Sequence, residues 1–476
     1  MSDSSTVNGR RPSGNGRRPS EPTASSALAA GSPPAARRSV RDSLRWLRPG
    51  LGIKRWLMVV LVGELLIALA AGLVLRQIYR DLPPDGPLAA LLDLVSLQIL
   101  PLWARPLVLV GLGLAIFLVG LWRLLEVVVE PYRQSRATMA DLLYQRRWRA
   151  RGPRVVAIGG GTGLSVLLRG LKELTSNITA VVTVADDGGS SGRLREELGV
   201  PPMGDIRNCI AALADAEPAM TDLLQYRFPG NGREGTYEGH AFGNLLIAAL
   251  TDIEGGDFEE AVRASNRVLA VRGKVVPVAP SPLTLHAELA DGRQIEGQSA
   301  IARARGIARV WITPADADVS REALEAIASA DLILLGPGSL YTSIMPSLLV
   351  TGLRAALERS TAPRAFICNV ATQVGETEGF GLSDHLAALR AHGLDGLVDA
   401  VLANDNFAAH APPNYPAAPV RPNVARAAPS QPPVILRDVV DDGNAHHHDP
   451  HKLAAAVCAL HERRLVHRRA PAAGAR

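Results

Sequence analysis

Two glycine-rich turns and a pair of adjacent acids carry the chemistry this chain could do. The first turn is Gly160-Gly161-Thr162-Gly163, between the apolar run VVAI and the helically spaced LSVLLRGL. Glycines there let the backbone approach a ligand, and the helix start offers N–H groups and a positive dipole end to a phosphate. A tight turn without ligand fits the same residues. It is not GxGxxG, because Leu164 and Val166 stand where glycine is needed, and no Gly-Lys-Ser/Thr follows to make a P-loop. The second turn, Gly336-Pro337-Gly338-Ser339-Leu340-Tyr341-Thr342, repeats the setting and adds hydroxyls. Such a turn suits a phosphate or diphosphate.

The acids are Asp186 and Asp187, ahead of Gly189, Ser190 and Ser191. At the end of a strand they can accept hydrogen bonds from a ribose or hold a hard cation such as Mg²⁺, with Asp187 the candidate ligand. They can equally cap a turn, and the serines can donate to a ligand or cap the helix RLREEL. Asp205, Arg207 and Asn208 form a polar cluster before an apolar helix. Arg207 suits an oxyanion or phosphate, or an internal salt bridge with Asp205. Asn244 opens a further apolar helix as a ligand contact or an N-cap. The run His446-His447-His448-Asp449-Pro450-His451 reads as a solvated loop or as one ligand-contacting histidine, since consecutive loop histidines rarely converge on one ion.

The elements that must position these residues are α/β in texture. Apolar, β-branched runs near 154–159, 178–184, 330–335, 363–370 and 397–404 predict parallel strands buried on both faces, with helices between them. PLTLHAELADGRQIEG alternates about Asp291-Gly292 and predicts a small antiparallel hairpin insertion. The ends of the strands in such a wound sheet are where ligands bind.

Before residue 153 the texture differs. Residues 1–45 are basic, low in large apolar groups, and predicted disordered. Residues 57–75 and 107–122 are each close to the ~20 apolar residues of a membrane-crossing helix. Arginines and lysines crowd both outer flanks, while the connector is poor in them. The charge bias predicts a two-span hairpin over 46–130, a basic linker over 131–152, and both termini and the main domain, 153–465, in the cytoplasm. Residues 466–476 are expected to fray. The net charge of +5 comes from the N-terminus, where residues 1–56 hold 11 basic and 3 acidic side chains, so nothing argues for nucleic acid. Cys209, Cys368 and Cys458 lack metal spacing and are expected as free thiols.

The stretches VVAIGGGTGLSVLLRGLKEL, VTVADDGGSSGRLREELGVPPMGDIRN, EGHAFGNLLIAAL, LLGPGSLYTSIMPSLLV and FICNVATQVGET resemble, in this order, the gluconeogenesis factor family. That family is related to 2-phospho-L-lactate transferase. The likeness covers about residues 153–465 and adds Asn369 to the candidate residues. It implies a Rossmann-like domain that binds a nucleotide-linked ligand. The gluconeogenesis-factor branch implies a UDP-sugar such as UDP-N-acetylglucosamine as ligand, a role in cell shape and wall synthesis on gluconeogenic carbon sources, and no settled reaction. The transferase branch implies a Mg²⁺-dependent phospholactyl transfer. The stretches match the first branch more closely. In that branch a tyrosine and an arginine late in the chain contact the sugar nucleotide. Tyr415 matches the tyrosine, whereas His447 stands where the arginine would be. A neutral imidazole clamps a diphosphate less well than a guanidinium. Candidate partners are a second copy of the chain and proteins of wall synthesis.

Overall fold

The computed structural model describes residues 148–215, 217–229, 237–410, 416–423 and 432–468 of the main part. From the N-terminal part it describes 64–66, 68, 71–72, 76, 101 and 103–129. The chain divides into two units, Met1–Pro131 and Tyr132–Arg476. In the first, a helix runs from Ala104 to Val129, and its apolar stretch among the described residues is Val110–Gly120. No single helix among the described residues is both long and apolar enough to cross a membrane. Most of the predicted span 57–75 lies outside the described residues.

The second unit is built on a seven-stranded sheet. Its strands are β1 (Val155–Gly159), β2 (Ile178–Val182), β3 (Lys274–Pro277), β7 (Leu332–Leu335), β8 (Arg364–Ile367), β9 (Ala400–Asn404) and β10 (Val434–Arg437). They lie in the order β10-β9-β8-β7-β1-β2-β3, and every pairing is parallel. β1, β7 and β9 are buried at every position, as strands covered on both faces must be. The expected wound α/β sheet is present. β3 and β10 were not among the predicted strands; each is four residues long and sits at an edge.

Helix α1 (Gly161–Leu171) follows β1 and covers the sheet with Leu164, Leu167, Leu168 and Leu171. Their spacing puts them on one face, and each fully buried leucine contributes about 1.5–3 kcal/mol. Helices α2 (Gly189–Leu198), α3 (Gly204–Leu213) and α4 (Phe242–Ile253) follow β2. The expected hairpin forms as β4 (Thr284–Leu289) and β5 (Gln294–Glu296), joined by a third strand, β6 (Ile307–Thr313), across β4. A short helix α5 (Gln298–Ile301) leads out of β5.

One late segment differs from expectation. His446–His448 do not form a loop. They end β12 (Asn444–His448), which pairs antiparallel with β11 (Val440–Asp441). The final helix is α6 (Pro450–Arg468). In the long 408–433 connection, Pro419 bridges to Ala371, and the segments 411–415 and 424–431 lie outside the described residues. Cys209 and Cys368 are buried free thiols, and Cys458 is a part-buried one.

Candidate functional site

The chain reverses direction across the sheet between β1 and β7, which are neighbours although 172 residues lie between Gly159, the last of β1, and Leu332, the first of β7. Loops after the two strands face each other at this switch point, where open α/β sheets leave a crevice. The crevice is a cleft of about 630 Å³. Gly160–Gly163 form its floor with Gly338, Ser339 and Thr342, and Asp205, Gln298, Asn369, Gln373 and His446–His448 stand around it.

Backbone approach explains the glycines. A Cβ on Gly163 would lie 3.0 Å from the Gly338 Cα and N, so the loops touch main chain to main chain. A Cβ on Gly160 would collide with Asp205 Oδ2. Asn369 fixes the second loop. Its Oδ1 accepts the Gly338 N–H at 3.2 Å, and its Nδ2 donates to the Gly338 carbonyl at 2.9 Å.

Asp205 is the charged group of the floor. One part of its carboxylate accepts the Gly161 N–H, while Oδ2 is shielded from solvent with no hydrogen-bond partner. Burial and the neighbouring Asp186 push its pKa up to about 7. Asp186 accepts the Gly188 N–H at 2.9 Å, and burial raises its pKa as well. Among the described residues no three His, Cys, Asp or Glu side chains converge as a metal cage.

Asp187 is not brought to the cleft. Its Oδ1 accepts the Ser299 N–H at 2.8 Å, and the carboxylate packs on Gly297, so it caps the start of α5. The adjacent acids therefore separate in role: Asp187 caps α5, while Asp186 accepts the Gly188 N–H.

Four further candidates make one buried network beside the cleft. Asn244 Nδ2 donates to Ser190 Oγ at 3.1 Å and to Ser191 Oγ at 3.2 Å, and its Oδ1 accepts from Arg207 at 2.9 Å. Ser190 Oγ also accepts the Ala241 N–H at 3.2 Å and lies 3.1 Å from His240 Nδ1. With two bonds accepted, its proton is left for His240. Both serines lie inside the first turn of α2 and do not cap it, and Asn244 is not the N-cap of α4, which is Ala241. Arg207 is buried, bonded to Asn244 and to Asn208 Oδ1 at 3.2 Å, and makes no contact ion pair with Asp205. Burial lowers its pKa, and Asp205 and Asp186 act on it only through space. Gly189 sits at the start of α2, outside the cleft lining.

Glu376 has no signal in residue type or spacing, yet it governs the second loop. The Tyr341 and Thr342 N–H groups donate to its Oε1 at 2.6 and 3.1 Å, and Thr342 Oγ1 donates to Oε2 at 3.2 Å. Burial pushes this carboxyl up to about 7. The amides expected to hold a phosphate are thus already given to a carboxylate. Tyr341 itself is buried against Phe380 and His392, and Gly336 lies under the loop, so neither lines the cleft. At the cleft floor α1 starts from Gly160, an N-cap with no side chain, and the Gly161 N–H of its first turn goes to Asp205. His448 is buried with Nε2 on the Cys368 carbonyl at 3.3 Å, and burial lowers its pKa to about 4. Tyr415 lies outside the described residues.

Comparison with known proteins gives the family. The model of the family 2-phospho-L-lactate transferase CofD matches residues 155–438. The chain belongs to that family. Within it, the relatives are gluconeogenesis factors. The Gluconeogenesis factor of Halalkalibacterium halodurans is 53% identical over 252 residues, 52% of this chain and 77% of its own. That of Bacillus subtilis is 52% identical over 253 residues, 53% and 78% of the two chains. A Nostoc sp. homologue is 48% identical over 376 residues, 77% and 79%. A crystal structure of a Bacillus halodurans protein, 45% identical, superposes with a TM-score of 0.58 over 65% of this chain and all of its own.

Proposed function

We propose that the cleft binds a nucleoside diphosphate ligand of the UDP-sugar class, and that the chain acts as a gluconeogenesis factor in cell shape and wall synthesis. One observation carries this reading: α1 opens on the cleft from an N-cap glycine with no side chain, beside a shielded Asp205 oxygen that has no hydrogen-bond partner. The amides suit a diphosphate. Asp205 suits Mg²⁺, which typically takes one or two carboxylates together with substrate phosphates. Bound there, Mg²⁺ would neutralise phosphate charge. Equilibrium dialysis of the full chain with labelled UDP-N-acetylglucosamine and Mg²⁺ tests the reading. No retention at millimolar ligand would sink it.

A second reading, a Mg²⁺-dependent transferase, is supported by the family match over 155–438. Incubation with a phospholactyl guanosine diphosphate and deazaflavin separates the two. Coupled product at useful turnover favours the enzyme.

Membrane tethering through 57–75 and 107–122, with both termini and the main domain cytoplasmic, belongs to the same proposal. The basic flanks support it, as do the exposed Leu107, Val110, Leu112, Ile116 and Val119 along the Ala104–Val129 helix. Release of the full chain from membranes by alkaline carbonate would count against it.

A further inference from the structure

Of the side chains lining the cleft, two among the described residues hold a shielded oxygen with no hydrogen-bond partner: Asp205, through Oδ2, and Gln373, through Oε1. The first belongs to the phosphate and cation end already described. Gln373 has a different chemistry, since its amide oxygen is a neutral acceptor. Three bonds hold it in place. Its N–H donates to Thr377 Oγ1 at 3.0 Å, its carbonyl accepts the Thr377 N–H at 3.0 Å, and its Nε2 donates to Ser339 Oγ at 2.6 Å. One N–H of the amide is held by Ser339, and the oxygen is left as the atom of this side chain without a partner. Leaving such an acceptor buried and unpaired is unfavourable, so the cleft favours a ligand that brings a donor to it.

We propose that Gln373 is a specificity-determining residue of the cleft, accepting a ring N–H from a nucleobase of the lactam or imide type. The inference rests on the nucleoside diphosphate reading above. Uracil presents N3–H and guanine N1–H, whereas cytosine N3 and adenine N1 are acceptors. Against Gln373 Oε1 the latter two set lone pair against lone pair. A site built to accept one hydrogen bond discriminates strongly against an isostere that cannot donate it.

The test is a binding panel on the full chain in detergent micelles with Mg²⁺, using UDP, GDP, CDP and ADP. The better of UDP and GDP should bind at least about tenfold more tightly than CDP or ADP. Gln373→Leu should bring the four to within about threefold of one another, since no acceptor remains. Gln373→Glu keeps an acceptor and should keep the order of preference, although its added charge weakens all four. Ser339→Ala frees the amide to rotate and should blunt the preference without removing Gln373. Equal binding of the four by the unaltered protein, or an unchanged preference in Gln373→Leu, overturns the proposal while leaving the diphosphate reading intact. Absence of binding by all four overturns both.

Discussion

Asn369 holds Gly338 by both of its backbone groups, accepting the N–H and donating to the carbonyl. The second glycine loop is therefore set by a side chain from the neighbouring strand end. Asn369→Ala removes both bonds and leaves the Gly338 groups to find other partners. We expect a loss of about 1–3 kcal/mol in stability, read by urea unfolding, together with weaker nucleotide binding. Asn369→Asp cannot donate and should recover only part of either.

Asp205 and Asp187 should part company on substitution. Asp205→Asn removes the unpartnered oxygen's charge and should abolish Mg²⁺-dependent tightening of nucleotide binding. Asp187→Asn touches only the cap on Ser299 and should leave that affinity unchanged. Equal weakening by both, measured by dialysis with and without Mg²⁺, would refute the division of roles.

The pH dependence of stability should separate into opposing parts. Asp205 and Glu376 have folded values near 7, above their ordinary carboxyl values of 3.8 and 4.5. Their contribution is fully present below about pH 4 and is lost as pH rises through about 7. His448 is depressed from 6.5 to about 4. Its contribution is present above 6.5 and is lost as pH falls through about 4. Both windows lie between about pH 4 and 7 with opposite sign, so over that range Glu376→Gln should make the fall of stability with rising pH shallower and His448→Gln should make it steeper, read by urea unfolding at several pH values.

Arg207 should resist its nominally mild replacement. A lysine cannot reach Asn244 and Asn208 together in one planar fork, and it brings a more strongly hydrated charge into the same buried space. Arg207→Lys should destabilise by about 1.5–3 kcal/mol, the range for hydrogen bonds to a charged group. Thermal unfolding checks this, and Arg207→Gln should fall between the two.

Much of the fold was legible because buried parallel strands leave unbroken apolar runs. β1, β2, β7, β8 and β9 all do so, while β3 and β10 are short edge strands with one neighbour each and little pattern to read. Both glycine loops were legible for a local reason, since a close backbone approach demands glycine itself. Side-chain direction was not. Asp186 and Asp187 are adjacent in sequence, and only the placement of α5 decides that Asp187 turns away. Glu376 and Gln373 escaped notice because their partners, Tyr341, Thr342 and Ser339, lie more than thirty residues away in the chain. The histidine run was misjudged as a loop because its strand pairs only with the two-residue β11.

The cleft draws its floor from Gly160–Gly163 and one wall from His446–His448, about 290 residues later. During synthesis the sheet around β1 and β2 can assemble while that wall is still unmade. The cleft is then completed only after β12 has left the ribosome. A chain interrupted before residue 444 would carry both glycine loops but lack the His446–His448 wall.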